Sequence, residues 1–305
     1  MDIAAVIFAL LSAVLMGTIG VFSKLTGLPA EIITFFRLIL GAGFMIIFLA
    51  IIGKVHLIKQ WPSLPVLING ILLAGFIIFY VQAMNHTSMA NAIMLVYLAP
   101  LAASVIAHFF LGERLTITAL GLIFSAMFGF AMMMEFKIDI NSGSSEFIGI
   151  CYGLLALASY TGFILVNRII RPEIHVYTRT FWQLFTGGCV MIPFVLFSID
   201  EVSINHVPWL LGVGFFPGFL AILFAVIALS RLPVAIFGTL AYTEAVAVVI
   251  FGWTIFNEAL SALQISGCSL IILSSILKTV IASRQSLNEY NKMPHRDIKE
   301  SELPV

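Results

Sequence analysis

Two charges stand in stretches of the chain that are otherwise almost entirely apolar. Glu244 falls near the middle of a run from 234 to 256, and Arg37 lies six residues into another from 31 to 53. A carboxylate at membrane depth costs about 3 kcal/mol unless it is paired, wetted or protonated. Glu244 can therefore hold a proton and release it when water or a cation arrives, which makes it the leading candidate for a coupling or cation-binding group. The alternative is a hydrogen-bonding strut between helices. Arg37 sits about 9 Å from the outer end of its run at 1.5 Å per residue. It can attract a substrate carboxylate or pair with an acid. It can equally snorkel to the interface or bond backbone carbonyls.

Around these charges stand aromatic and hydroxyl residues. Tyr97, Ser104 and His108 recur at helical spacing and share one face, and Tyr242, Val249 and Trp253 do the same later in the chain. Such a stripe lines a cavity or packs, and Trp253 near a run's end suits an interfacial belt. Tyr160 adds polarity, with Tyr152, Ser159, Asn167, Ser12 and Thr18, while Met16, Phe22, Tyr80 and Trp182 are candidates for an apolar wall. There is no HExxH, no P-loop, no Ser/His or paired-Asp constellation at membrane depth and no sizeable soluble domain. An intramembrane enzyme is thus the weaker reading, and no metal or cofactor is expected. Cys151, Cys189 and Cys268 lie inside apolar runs without CxxC spacing and are expected as buried small residues.

The elements that hold these residues follow from composition. With 61% hydrophobic and 10% charged residues, the chain lacks the polar surface of a water-soluble globule. Its net charge of zero gives no case for a nucleic-acid partner. Apolar runs long enough for a bilayer recur almost back to back, without the alternation of a barrel strand. Divided at polar or Gly/Pro punctuation they give ten expected transmembrane helices, at 3–23, 31–53, 64–84, 90–111, 116–135, 147–167, 175–197, 208–229, 234–256 and 261–282. Asp2 precedes the first run and no Lys or Arg does, so that run is expected as a retained helix. Residues 283–305, mixed in charge and poor in apolar residues, are expected as a disordered tail. Lys54, Lys59, Arg114, Arg168, Arg171, Arg231, Lys278 and Arg284 fall on the side of the termini, against Lys24 and Lys137 opposite. This bias puts both termini in the cytoplasm.

The chain also repeats itself. MLVYLAPLAASVIAHFFLGERLT at 94–116 returns as TLAYTEAVAVVIFGWTIFNEALS at 239–261, an offset of 145 residues that pairs Tyr97 with Tyr242, Glu113 with Glu258, Thr116 with Ser261 and Gly17 with Gly162. Five helices per copy is an odd number, so the second copy enters the membrane from the opposite face. The expected fold is all-α, ten transmembrane helices as two inverted five-helix repeats, 1–139 and 146–282, with a site near the midplane where they meet. Glu113 and Glu258 lie in tight joints where Gly112 suits a left-handed helix end and Thr116 and Ser261 suit N-caps, so these acids read as structural. Gly17 and Gly162 read as packing or hinge positions.

The chain resembles the EamA-type transporters of the drug/metabolite transporter superfamily over residues 1 to about 282. The likeness rests on the two five-helix halves, on APLAASVIAHFFLGERLT and TEAVAVVIFGWTIFNEALS, and on Phe36-Arg37-Leu38, which is similar to the family's second-helix arginine. Thr243-Glu244-Ala245-Val246 resembles the frequent Leu-Glu-Pro-Val, with Ala245 in place of the proline, which leaves a bend there open. The resemblance implies a secondary transporter in the inner (cytoplasmic) membrane, often an exporter, of small metabolites such as amino acids, with a multidrug or amine-cation exporter as the alternative. It favours a scaffold role for Arg37. It leaves open coupling to protons and the choice between monomer and homodimer.

Overall fold

The computed structural model describes residues 2–87, 89–113, 115–136, 144–196 and 199–292, without the side chains of 89, 90, 144 and 283–292. Arg114, Lys137 and residues 293–305, which entered the charge count and the tail, lie outside the described residues. Among the described residues the chain is helical and has no strand.

The first helix, α1 (Ile3–Thr26), is started by Asp2, whose side chain accepts from the Ala5 N–H, and stopped by Gly27 in the left-handed region at φ 66°. It is followed by α2 (Ala30–Ile51), α3 (Leu64–His86), α4 (Met89–Tyr97), α5 (Ala99–Phe110) and α6 (Ile117–Met133). Thr116 caps α6 by accepting from the Ala119 N–H. The second half holds α7 (Ser144–Ile169), α8 (Val176–Val195), α9 (Val207–Val213), a π-helical turn at Gly214–Leu220 around Pro217, α10 (Ala221–Arg231), α11 (Val234–Ala241), α12 (Thr243–Phe256) and α13 (Ala262–Lys292). Ser261 caps α13, its hydroxyl accepting from the Gln264 N–H. The helix continues through Lys292, past the Ser283 at which the sequence reading began its tail.

Among the described residues, eight helical stretches are long and apolar enough to cross a membrane, and Ile117–Met133 is a shorter apolar helix. At 1.5 Å per residue α6 spans about 25 Å, a little under a bilayer's hydrocarbon core. The α8 helix is long enough, but Thr178, Arg179, Thr180 and Gln183 keep it out of the eight.

Large apolar side chains face outward along whole helices, as Ile265, Ile272, Leu273, Ile276, Leu277 and Val280 do on α13. A lipid bilayer covers such a surface at no cost. The cysteines follow the same logic, which corrects the sequence reading: Cys151 and Cys189 are exposed and Cys268 is half-buried. In a bilayer an apolar run says nothing about burial inside the protein.

Within the bundle α3 packs on α7, α1 on α10 and α12, α2 on α8, and α6 on α13. The main core gathers Leu38, Met45, Leu184, Ile222, Val226 and Leu240 where α2, α8, α10 and α11 meet.

Candidate functional site

Two interrupted helices shape the site. Between α4 and α5 the helix breaks at Leu98, because Pro100 has no N–H to offer the Val96 carbonyl, and the Leu98 N–H turns to Leu95 instead. Between α11 and α12 it breaks at Tyr242, although no proline is present there. The Ala245 N–H bonds the Tyr242 carbonyl at 3.1 Å. Across the gap, the Tyr242 hydroxyl donates to the Tyr97 carbonyl at 2.6 Å. The interruption that Ala245 left open is therefore present, held by a tyrosine that reaches across to the other break.

Beside the breaks lies a cavity of about 400 Å³. Arg37 of α2, Glu244 of α12, Tyr80 of α3, Tyr97 of α4 and Tyr160 of α7 line it, with Gly17, Met16 and Ser12 of α1. Arg37 is only 5% exposed, and its Nε has no hydrogen-bond partner among the described residues. Glu244 and Arg37 line the same cavity, yet no ion pair closes between them among the described residues. Both charges thus face the same space with bonding capacity to spare, an arrangement that costs free energy unless water or a ligand fills it. Tyr80, Phe76, Tyr160 and Phe163 form a stacked run down one wall, with Phe76 at 6.3 Å from Tyr80 and 4.8 Å from Tyr160. Opposite, Tyr97 stacks on Phe130 at 4.1 Å.

Gly17 explains how α1 comes so close. A methyl group there would sit 3.0 Å from the Ala247 Cβ and 3.2 Å from the Glu244 carbonyl oxygen. The glycine lets α1 press against the turn that carries Glu244. Its repeat mate Gly162 faces the Leu72 side chain and is not part of the lining.

Other sequence candidates lie elsewhere. Tyr242 is fully buried beside the cavity, its ring 5.7 Å from Tyr97, and supports the lining without joining it. Trp182 is away from the cavity, its indole N–H donating to the Gln60 carbonyl at 3.1 Å. Phe22 packs against Phe216. Of the stripe on the fourth span, Tyr97 alone reaches the lining; Ser104 bonds the Pro100 carbonyl and His108 the Glu113 carbonyl. Glu113 and Glu258 sit in their joints, paired with Arg168 and Lys24. Sequence reasoning missed Phe76, Thr34 and Phe163 on the wall; the four-residue step from Phe76 to Tyr80 was a signal for the first.

Comparisons with known proteins agree over most of the chain. A model described as the EamA-like transporter family matches residues 3–134 and again 147–280. An "uncharacterized transporter" of Archaeoglobus fulgidus is 25% identical over 86% of this chain and 91% of its own. A pseudopaline exporter of Pseudomonas aeruginosa is 27% identical over 82% of this chain and 86% of its own. A solved crystal structure superposes with a TM-score of 0.82 at 19% identity, covering 93% of this chain and 100% of that one, a likeness of fold alone.

Proposed function

We propose a mechanism for a chain that belongs to the EamA-like transporter family, and with it to the drug/metabolite transporter superfamily. As a multi-pass membrane transporter of that type it handles a small molecule within a lipid bilayer. In our reading, ten spans form two inverted five-helix halves, 1–139 and 146–282, in the inner membrane with both termini cytoplasmic. The halves rock about the cavity so that it faces each side in turn. The contact pattern supports this reading. Under the repeat, the pairing of α1 with α10 exchanges with that of α7 with α3, while α2 with α8 and α6 with α13 each map onto themselves. That is the behaviour of a pseudo-two-fold axis, which the odd number of helices per half would lay in the membrane plane. A relative named as an exporter favours outward transport.

The observation that carries the substrate reading is the presence of two opposite charges in one aromatic-walled cavity, Glu244 and an Arg37 whose Nε has no partner among the described residues. A zwitterion such as an amino acid fits both at once, its carboxylate toward Arg37 and its ammonium toward Glu244. Glu244 then doubles as the proton-coupling group, exchanging a proton for the substrate's cation. The aromatic wall of Phe76, Tyr80 and Tyr160 keeps a second reading in play, an amine or lipophilic cation bound through Glu244 and ring faces.

A thermal-shift screen of amino acids, amines and nucleobases against purified protein separates the readings, because a ligand that binds the folded state raises apparent stability. For a zwitterion, Glu244→Gln and Arg37→Gln each abolish the shift. For an amine, Glu244→Gln alone does so. No shift with any of the three classes in wild type contradicts the small-metabolite reading.

A further inference from the structure

The joints between α5 and α6 and between α12 and α13 are built alike. Each begins with a residue in the left-handed region, Gly112 at φ 67° and Asn257 at φ 54°. Each continues with a glutamate whose N–H reaches back into the preceding helix, Glu113 to the Ala107 carbonyl at 3.2 Å and Glu258 to the Gly252 carbonyl at 3.1 Å. All of these pairs keep the same offset of 145 residues.

The two side chains are used differently. Glu113 Oε1 pairs with Arg168 Nε at 2.6 Å, and its Oε2 accepts the Val234 N–H at 2.7 Å. Arg168 also donates to the Ser230 carbonyl. One mostly buried carboxylate therefore ties together the ends of α5, α7, α10 and α11. Glu258 is more than half exposed, and its partner is the equally exposed Lys24, which rests over the Phe256 ring. Lys24 stands one residue beyond Ser23, the repeat equivalent of Arg168.

The cavity is asymmetric in the same sense. Toward the clamp its lining stops at Ala9, Phe163 and Phe237, inside the helix ends that Glu113 joins. Away from it the lining runs out to Ser23 and Ala30, beside Lys24. The end tied by Glu113 is closed, and the end beside Glu258 is where the cavity approaches the surface.

Resting on the alternating-access reading, we propose that Glu113 is a positioning residue of the transport cycle. With Arg168 and the Val234 N–H it forms the gate that seals the terminus side. Glu258 is the matching gate residue of the other side: in the opposite conformation it leaves Lys24 and takes the N–H of Met89, the repeat equivalent of Val234. The physics favours this exchange. An exposed Lys–Glu pair is cheap to break. A carboxylate that accepts a backbone N–H and an arginine at once is a strong, specific lock.

The test uses the full chain with its three cysteines replaced and a single cysteine at Ala9, on the cavity floor. A membrane-impermeant thiol reagent is applied to the face that bears the termini. Glu113→Gln raises the labelling rate from that face about tenfold, the population shift expected for losing one charge-assisted lock, and Glu258→Gln does not. Should Glu113→Gln fail to fold, Glu113→Asp, which keeps the charge but shortens its reach, gives a smaller rise in the same direction. Unchanged labelling in a folded Glu113 variant, or an equal rise with Glu258→Gln, overturns the assignment. Because labelling needs no substrate, a failed gate is distinguishable from a failed transport assignment.

Discussion

A guanidinium whose Nε lacks a partner inside a membrane bundle is a standing cost to the fold. Arg37, 5% exposed and unsatisfied, is such a group. Replacing it with methionine, of similar length and without charge, should therefore stabilise the protein by on the order of 1 kcal/mol or more while removing substrate binding. Melting of purified protein beside the ligand screen checks both halves; a destabilised variant would mean that Arg37 holds the helices together instead. Glu244 and Arg37 were visible in the sequence because charge inside an apolar run is rare. Tyr97, Tyr242 and Trp182 were not separable there. All three are aromatics in apolar runs, and whether such a ring meets a cavity, a neighbouring carbonyl or a loop depends on helix rotation, which hydropathy does not encode when lipid and protein interior are both apolar.

The elements that position the site depend on one close approach and one cross-break bond. Gly17→Leu should force α1 away from α12, cost about 1–3 kcal/mol as overpacking does, and abolish binding by displacing Glu244, whereas Gly162→Ala, which meets one flexible leucine, should be far milder. Parallel melting curves and ligand shifts read the contrast. Tyr242→Phe keeps the ring but removes the donor to the Tyr97 carbonyl, with an expected loss of about 1–3 kcal/mol for an acceptor left unsatisfied. At the start of α1, the Ala5 N–H, with help from Arg231, holds the Asp2 carboxyl below its usual range. A group whose folded value is depressed stabilises above its unfolded value, about 3.9, and loses that contribution as pH falls through the folded value. Asp2→Ala should therefore lower the melting temperature at neutral pH, and the gap should narrow in acid. At this scale the sequence showed most helices through length and punctuation, and the caps at Thr116 and Ser261 through residue type. The break at Tyr242 was less legible, since the proline that would have announced it is absent and the Tyr242 hydroxyl instead bonds a carbonyl 145 residues away.

For the molecule as a whole, repetition was the most legible feature. A gapless offset that pairs Glu113 with Glu258 and Gly112 with Asn257 also pairs their backbone turns. What repetition did not disclose is how differently the two joints are used: Glu113 is locked to Arg168, whereas Glu258, whose half has Ser23 at the position equivalent to Arg168, pairs loosely with exposed Lys24. Equivalent positions of the two halves should lie on opposite faces of the membrane. Single cysteines at Ile117 and Ala262, both exposed first residues of their helices and repeat equivalents, report this arrangement. In sealed vesicles of known orientation, an impermeant thiol reagent should label Ile117→Cys from the side of the termini and Ala262→Cys from the other side. Labelling of both from one face would contradict the inverted architecture and the transport cycle built on it.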